Sequence, residues 1–341
     1  MLTLRNRLQL LSLAACLAAA PAVAQTAMEP LKSIEINVAN APGGGYDQYA
    51  RVIARYMPRH LPGAPTIMVK NMPGAGGARA ANFMATLAPR DGSVLALLTR
   101  EIALAPLLAP NQASYQFKAQ ELNWIGSPLQ DVGLFVINTS APAQSLDALK
   151  TTQITVAGTG PGSGPTTFPH VLNDVLGLKL KVVAGYPGSQ EALLAVEKGE
   201  SDGHVSGGSS AAFRNRINPL IADKKMRMLL QLGMTKDMEY SDVPLIFDLV
   251  SDPETRKLLE VIFAPQYLGR PIVAPPGVPA ARVAELRRAF DAVLADPEFL
   301  AEAARQRMDI NHVSGADLAR MIDKVHGYPV NVIKRATALA Q

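Results

Sequence analysis

An α/β fold is what this sequence predicts, on three observations. A short aliphatic or β-branched run, a glycine-rich turn and a helical pattern follow one another four times. Such alternation implies strands joined by helical crossovers, and hence mostly parallel sheets. Composition agrees, since 48% of the 341 residues are hydrophobic and 18% charged, ordinary values for a globular chain long enough for two domains. The spacing between units is irregular and carries no sequence repeat, which excludes a solenoid.

The chain opens on MLTLRNRLQLLSLAACLAAAPAVAQ. Arg5 and Arg7 give a short positive start, Leu8 to Ala20 is largely apolar, and Ala22-Val23-Ala24 offers small residues before Gln25. This is the pattern of a secretory signal peptide over 1–24, cleaved near Ala24, and it places the mature protein in the periplasm. A lipoprotein alternative would use Cys16, the single cysteine. Losing the two arginines takes the formal net charge from +4 to +2, with no basic cluster, so nucleic acid is not the expected partner.

The first unit runs from residues 34–40 through Gly43-Gly44-Gly45 into a helix over 47–59, with Tyr49, Ile53, Tyr56, Met57 and His60 on one face. The second runs from TIMVKN (66–71) through MPGAGG into a helix over 78–87. ITVAG (154–158) and TGPGSGP lead to a helix ending near Leu176-Gly177. LKVVAG (180–185) and YPGS lead to a helix over 190–198.

The C-terminal third is helical. Val283, Leu286, Phe290, Val293 and Leu294 form an apolar stripe behind Pro279, and Leu318, Met321, Ile322 and Val325 form another that Pro329 kinks or ends. The third and fourth units fall in a smaller domain set within the first. The boundaries are 31–127 plus 245–341 for the outer domain and 128–244 for the inner. Two crossings between domains make a hinge, and Trp124, near the first, is expected to report its movement.

In such sheets the loops beyond the strands' C-terminal ends line a ligand crevice, and the helix starts there offer free N–H groups to anions. Asp47 is placed as the N-cap of its helix. Tyr46 either packs on the surface or presents its ring to a ligand, and Tyr186 is either a lid or a core residue. Ser163, Thr166 and Thr167 are caps or ligand contacts, and Ser206, Ser209 and Ser210 mark a turn before AAFRNRI. No G-x-S-x-G elbow, G-K-[ST] ending or H-E-x-x-H spacing occurs, and the five histidines are scattered. No catalytic residue, metal site or cofactor is expected.

APGGGYDQYARVIARYM, VKNMPGAGGARAANFMATLAPRDGSVLAL and AGYPGSQEALLAVEKGESDGH resemble the substrate-binding proteins of tripartite tricarboxylate transporters, the Bug family. The resemblance runs from about residue 34 to the C-terminus. It rests on a P-G-G-x-x-D start, an N-x-P-G-A-G-G turn, a Y-x-G-S turn and DVPL at 242–245, in family order. It implies a two-domain periplasmic binding protein of the type II, Venus-flytrap kind, a monomer that closes over a small organic carboxylate and delivers it to a membrane permease. Carried over by motif, the ligand contacts are Gly44, Gly45, Tyr46, Asp47, Thr159, Ser163, Thr166, Tyr186, Gly188 and Ser189, with Ser206 added from the following turn. Many members have Thr or Ser at Tyr46, a lysine-like residue at Pro187, and Ser and His where Pro165, Thr166 and Thr167 stand, which leaves the ligand beyond its carboxylate open. A ligand-presenting module for a sensor histidine kinase and a periplasmic hydrolase are the competing readings.

Overall fold

The structure, a computed structural model, describes residues 28–108, 114–160 and 162–340. The signal peptide and the Cys16 alternative lie outside the described residues.

Eleven strands are found among them. They are β1 (Ser33–Val38), β2 (Thr66–Asn71), β3 (Val94–Leu97), β4 (Asn123–Ser127), β5 (Gly133–Asn138), β6 (Ile154–Ala157), β7 (Leu180–Val183), β8 (Gly203–Val205), β9 (Met226–Leu232), β10 (Ile272–Ala274) and β11 (Val313–Ser314). The longer helices are α1 (Gly45–Tyr56), α2 (Ala78–Thr86), α3 (Gly164–Leu176), α4 (Ser189–Glu197), α5 (Ala211–Ala222), α6 (Pro253–Leu268), α7 (Ala280–Ala295), α8 (Pro297–Arg305), α9 (Gly315–His326) and α10 (Val330–Ala340).

The strands form two sheets, in the orders β11-β4-β10-β3-β1-β2 and β7-β6-β8-β5-β9. All four sequence-predicted strand–turn–helix units are present. The sheets are mixed rather than mostly parallel, which corrects the sequence expectation. Where a helix crosses over, the strands are parallel: β1 to β2 and β3, and β6 to β7 and β8. The remaining pairs, built by β10, β11 and β5, are antiparallel. β10 and β11 are too short for a period-2 pattern to reveal them.

Side-chain alternation puts Ile34, Ile36, Leu95 and Leu97 on one face of the first sheet, against α1, α7 and α8. Ala96, Trp124 and Val273 face the other way, against α2, α6, α9 and α10. In the second sheet Phe135, Ile137 and Val156 meet α3, and Leu134, Val136 and Ala157 meet α4 and α5. Helix α6 belongs to both halves. Its Leu258, Val261, Ala264 and Leu268 join the core of the first sheet, while Leu259 and Phe263 join that of the second.

The C-terminal helical stretch breaks at Asp296, whose carboxylate caps α8 with Pro297 in the first turn. The predicted stripes hold: Leu286, Phe290 and Val293 on α7, and Leu318 and Ile322 on α9, are fully buried.

Candidate functional site

A cavity of about 690 Å³ is lined from both sheets by loops that follow strand C-termini. The loop after β3 supplies Arg100 and Glu101. Those after β6, β7 and β8 supply Thr159, Ser163 and Gly164, then Pro187, Gly188 and Ser189, then Gly207, Gly208 and Ser210. Helix α6 closes one side with Val261, Ile262, Pro265 and Gln266, and Arg270 follows it; Leu108, Phe168 and Ala336 complete an apolar wall. No histidine is among the lining residues.

Arg270 is held by its backbone. Gly269 turns the chain at φ +58, a conformation that favours glycine, and a Cβ there would sit 1.6 Å from the Leu129 carbonyl oxygen. The Arg270 N–H donates to Ser127 Oγ at 2.9 Å, and that hydroxyl donates to the Leu129 carbonyl at 2.7 Å. The Asp131 N–H donates to the Gln266 carbonyl at 2.8 Å. The crossing from β4 to β5 is thereby stitched to the end of α6.

The two lining arginines differ in their partners. Arg100 pairs with Glu101 at 2.8 Å and Asp131 at 2.6 Å. Burial alone would lower its pKa, but these two carboxylates hold it above the usual value. The Arg270 guanidinium lies over two rings, 5.2 Å from the Tyr46 centroid and 4.6 Å from that of Tyr49. Its Nε is buried without a hydrogen-bond partner among the described residues. Gln266, 5% exposed, likewise leaves Oε1 unbonded.

The first glycine turn lies behind Arg270 rather than on the cavity surface. A Cβ at Gly45 would come within 3.3 Å of Arg270 Nη2, so the missing side chain makes room for the chain's own guanidinium. Gly44 is the N-cap of α1. The Tyr46 hydroxyl donates to the Gly269 carbonyl and accepts from the Arg100 N–H, both at 3.3 Å, which ties the two arginine loops together. Burial pushes the Tyr46 hydroxyl pKa up and that of Tyr49 up to about 12, so both remain neutral donors.

Asp47 is not the N-cap, which corrects the sequence expectation. It sits in the first turn, because the helix begins two residues earlier, at Gly45. Its carboxylate is buried and accepts from Arg51, from the Gly43 N–H and from Asn71, each at 2.9 Å. The Arg51 bond foremost, then those from Gly43 and Asn71, outweigh burial and hold its pKa down to about 2. The turn is still fixed by Asp47, through Gly43 rather than through a cap.

Of the other sequence candidates, Thr159, Ser163, Gly188 and Ser189 meet in the cavity. Ser163 does cap α3 by position, but its hydroxyl bonds Thr159 Oγ1 and the Gly160 carbonyl, both at 2.7 Å, rather than a helix N–H. Thr166 stands one layer back and donates to the Thr159 carbonyl. Tyr186 is half-buried against the core beside α4 and α5 and is not among the lining residues. Ser206 is buried and accepts the Leu134 N–H at 2.9 Å. The second glycine turn packs on Thr99 instead of reaching the cavity.

Sequence reasoning missed Arg100, Asp131, Gln266 and Arg270. A basic residue two positions past the end of α6, after a glycine, is the faint signal that Arg270 leaves.

Residues 49–337 match the family model described as Tripartite tricarboxylate transporter family receptor. The "UPF0065 protein in gbd 5'region" of Cupriavidus necator is 30% identical over 251 residues, which is 68% of this chain and 69% of that protein. A TctC solute binding protein from Polaromonas, solved with no ligand, has a TM-score of 0.69 at 21% identity, covering 89% of this chain and 98% of its own. MatC from Rhodopseudomonas palustris with bound malate has a TM-score of 0.52 at 21% identity, covering 91% and 99%. These structures share the fold.

Proposed function

The chain belongs to the tripartite tricarboxylate transporter receptor family, and from that premise we propose that it binds a small organic carboxylate in the cavity between its two sheets and delivers it to membrane permease subunits formed by other chains. In this reading it acts in the periplasm as a monomer, after loss of the signal peptide near Ala24. The parts around the two sheets act as lobes, 31–127 with 245–341 and 128–244. They close on the ligand about the crossings that precede β5 and follow β9.

One observation carries the reading: Arg270 presents a guanidinium that no carboxylate among the described residues engages, in a cavity whose walls come from both sheets. Tyr46 and Tyr49 orient that group, and the α1 N-terminus behind it adds positive potential. A carboxylate there makes charge-assisted bonds to a donor already desolvated and fixed in place. A micromolar ligand requires about −8 kcal/mol, and hydrogen bonds to a charged group supply about 1.5–3 kcal/mol each. Closure, by desolvating the ligand and adding the hydroxyl and N–H donors of Thr159, Ser163 and Ser189, makes up the difference.

Titration calorimetry with a panel of mono-, di- and tricarboxylates, aromatic acids and acidic amino acids tests this. At least one acid is expected to bind, and Arg270→Gln is expected to weaken it about 10–100-fold while Arg270→Lys retains part of the affinity. Binding of uncharged compounds alone, or turnover of a bound acid, would overturn the reading.

A further inference from the structure

The family name points to acids with several charges, and the cavity of this chain does not suit them. Its lining arginines are matched by two carboxylates, Glu101 and Asp131, both engaged by Arg100. That leaves Arg270 as the lining cation awaiting an anion. Three helices begin at the cavity, and two already have carboxylates. Asp309 accepts the first N–H of α5 at 2.9 Å, and Glu191 lies in the first turn of α4, 2.9 Å from the position a Gly188 Cβ would take. Of the three, α3 starts with no acidic residue in its first turn and, among the described residues, no carboxylate on its first N–H, and a helix terminus offers about half a charge.

Polarity also falls along the cavity. Helix α6 measures it: Arg270 stands beyond the helix end, Gln266 one turn back, and Ile262 and Val261 a further turn back. At about 1.5 Å per residue, the apolar wall lies roughly 12 Å or more from the level of Arg270. There Ile262 and Val261 are joined by Leu108, Phe168 and Ala336, with no charged side chain among them. A second carboxylate placed against that wall would be desolvated without a partner, which disfavours its binding. An apolar body gains from the same contact.

Building on the carboxylate-receptor reading, we infer that the ligand is a monocarboxylic acid with an aliphatic or aromatic body. Its head sits on Arg270, and its body lies along α6 toward Phe168 and Leu108.

Pairs of acids that differ in charge test this by calorimetry on the purified protein: hexanoate against adipate, and 3-phenylpropanoate against tricarballylate. The monocarboxylate of each pair is expected to bind about tenfold or more tightly than its partner. Leu108→Lys, which puts a cation at the half-buried rim of the apolar wall, is expected to narrow or reverse the ratio. Tighter binding of adipate or tricarballylate by the unaltered protein would overturn the inference and leave the carboxylate-receptor reading standing. A ratio that Leu108→Lys leaves unchanged would also overturn it. Failure of all four acids, and of the wider panel, would defeat the receptor reading itself.

Discussion

Asp47 and Arg270 divide the work that one glycine turn first suggested. Asp47 is not among the residues that line the cavity; its buried carboxylate braces the turn through the Gly43 N–H. Because the folded pKa is held down to about 2, below the ordinary carboxylate value, its stabilisation is complete above pH ~4 and is lost as pH falls toward 2. The gap in melting temperature between the unaltered protein and Asp47→Asn is therefore expected to be constant above pH ~5 and to shrink between pH ~4 and ~2. A gap independent of pH would contradict this. The acidic residue itself was legible, since Asp at the start of an apolar-periodic stretch signals a helix start. Its partner was not: three consecutive glycines leave the first helical residue undetermined, so the expected start fell two residues late. Arg270 was hidden for another reason. The contact that reveals it, from the Tyr46 hydroxyl to Gly269, joins residues 223 positions apart, and no local pattern encodes such a distance.

Turns and helices were legible to the extent that their signals are local. The strand–turn–helix units and the stripes on α7 and α9 follow from periodicity, and Asp296-Pro297 was a readable break once a cap was looked for. The role of the turns was not readable, because identical glycine chemistry serves different ends. The turn before α3 lines the cavity, that before α1 makes room for Arg270, and that before α2 packs on Thr99. The turn that matters most for the site, at Gly269, drew no notice in the sequence. Gly269→Ala is expected to destabilise the protein by about 3 kcal/mol or more, because the methyl group would meet the Leu129 carbonyl in a backbone conformation that alanine resists. Gly160→Ala, where a Cβ meets nothing within 4 Å, is expected to stay within about 0.5 kcal/mol. Urea unfolding of the two variants checks the contrast, and equal stabilities would refute it.

Across the whole molecule, the two sheets are joined by the shared helix α6 and by a set of polar ties. Asp309 is the most connected of these. Its carbonyl accepts the Tyr49 hydroxyl at 2.6 Å, and its carboxylate accepts the Ala211 N–H and pairs with Arg214. If the lobes close on the ligand, Asp309→Ala removes ties that favour the closed form. We expect a larger radius of gyration by small-angle scattering and ligand affinity weaker by roughly 3–10-fold. Unchanged scattering and affinity would count against the tie. Trp124, which the sequence reading expects to report this motion, is not among the residues that line the cavity. It is 1% exposed in the core of the first sheet, with its indole N–H donated to the Ala119 carbonyl at 2.9 Å. Its place near the crossing was legible; its insulation was not, because burial depends on α6 and α9, far along the chain. The central claim is that the cavity receives a carboxylate on Arg270. A crystal structure of the protein with the tightest-binding acid of the panel tests it most directly. The expected result is a ligand carboxylate within hydrogen-bond distance of the Arg270 guanidinium, inside the cavity between the sheets. A carboxylate held elsewhere, with Arg270 still free, would contradict it.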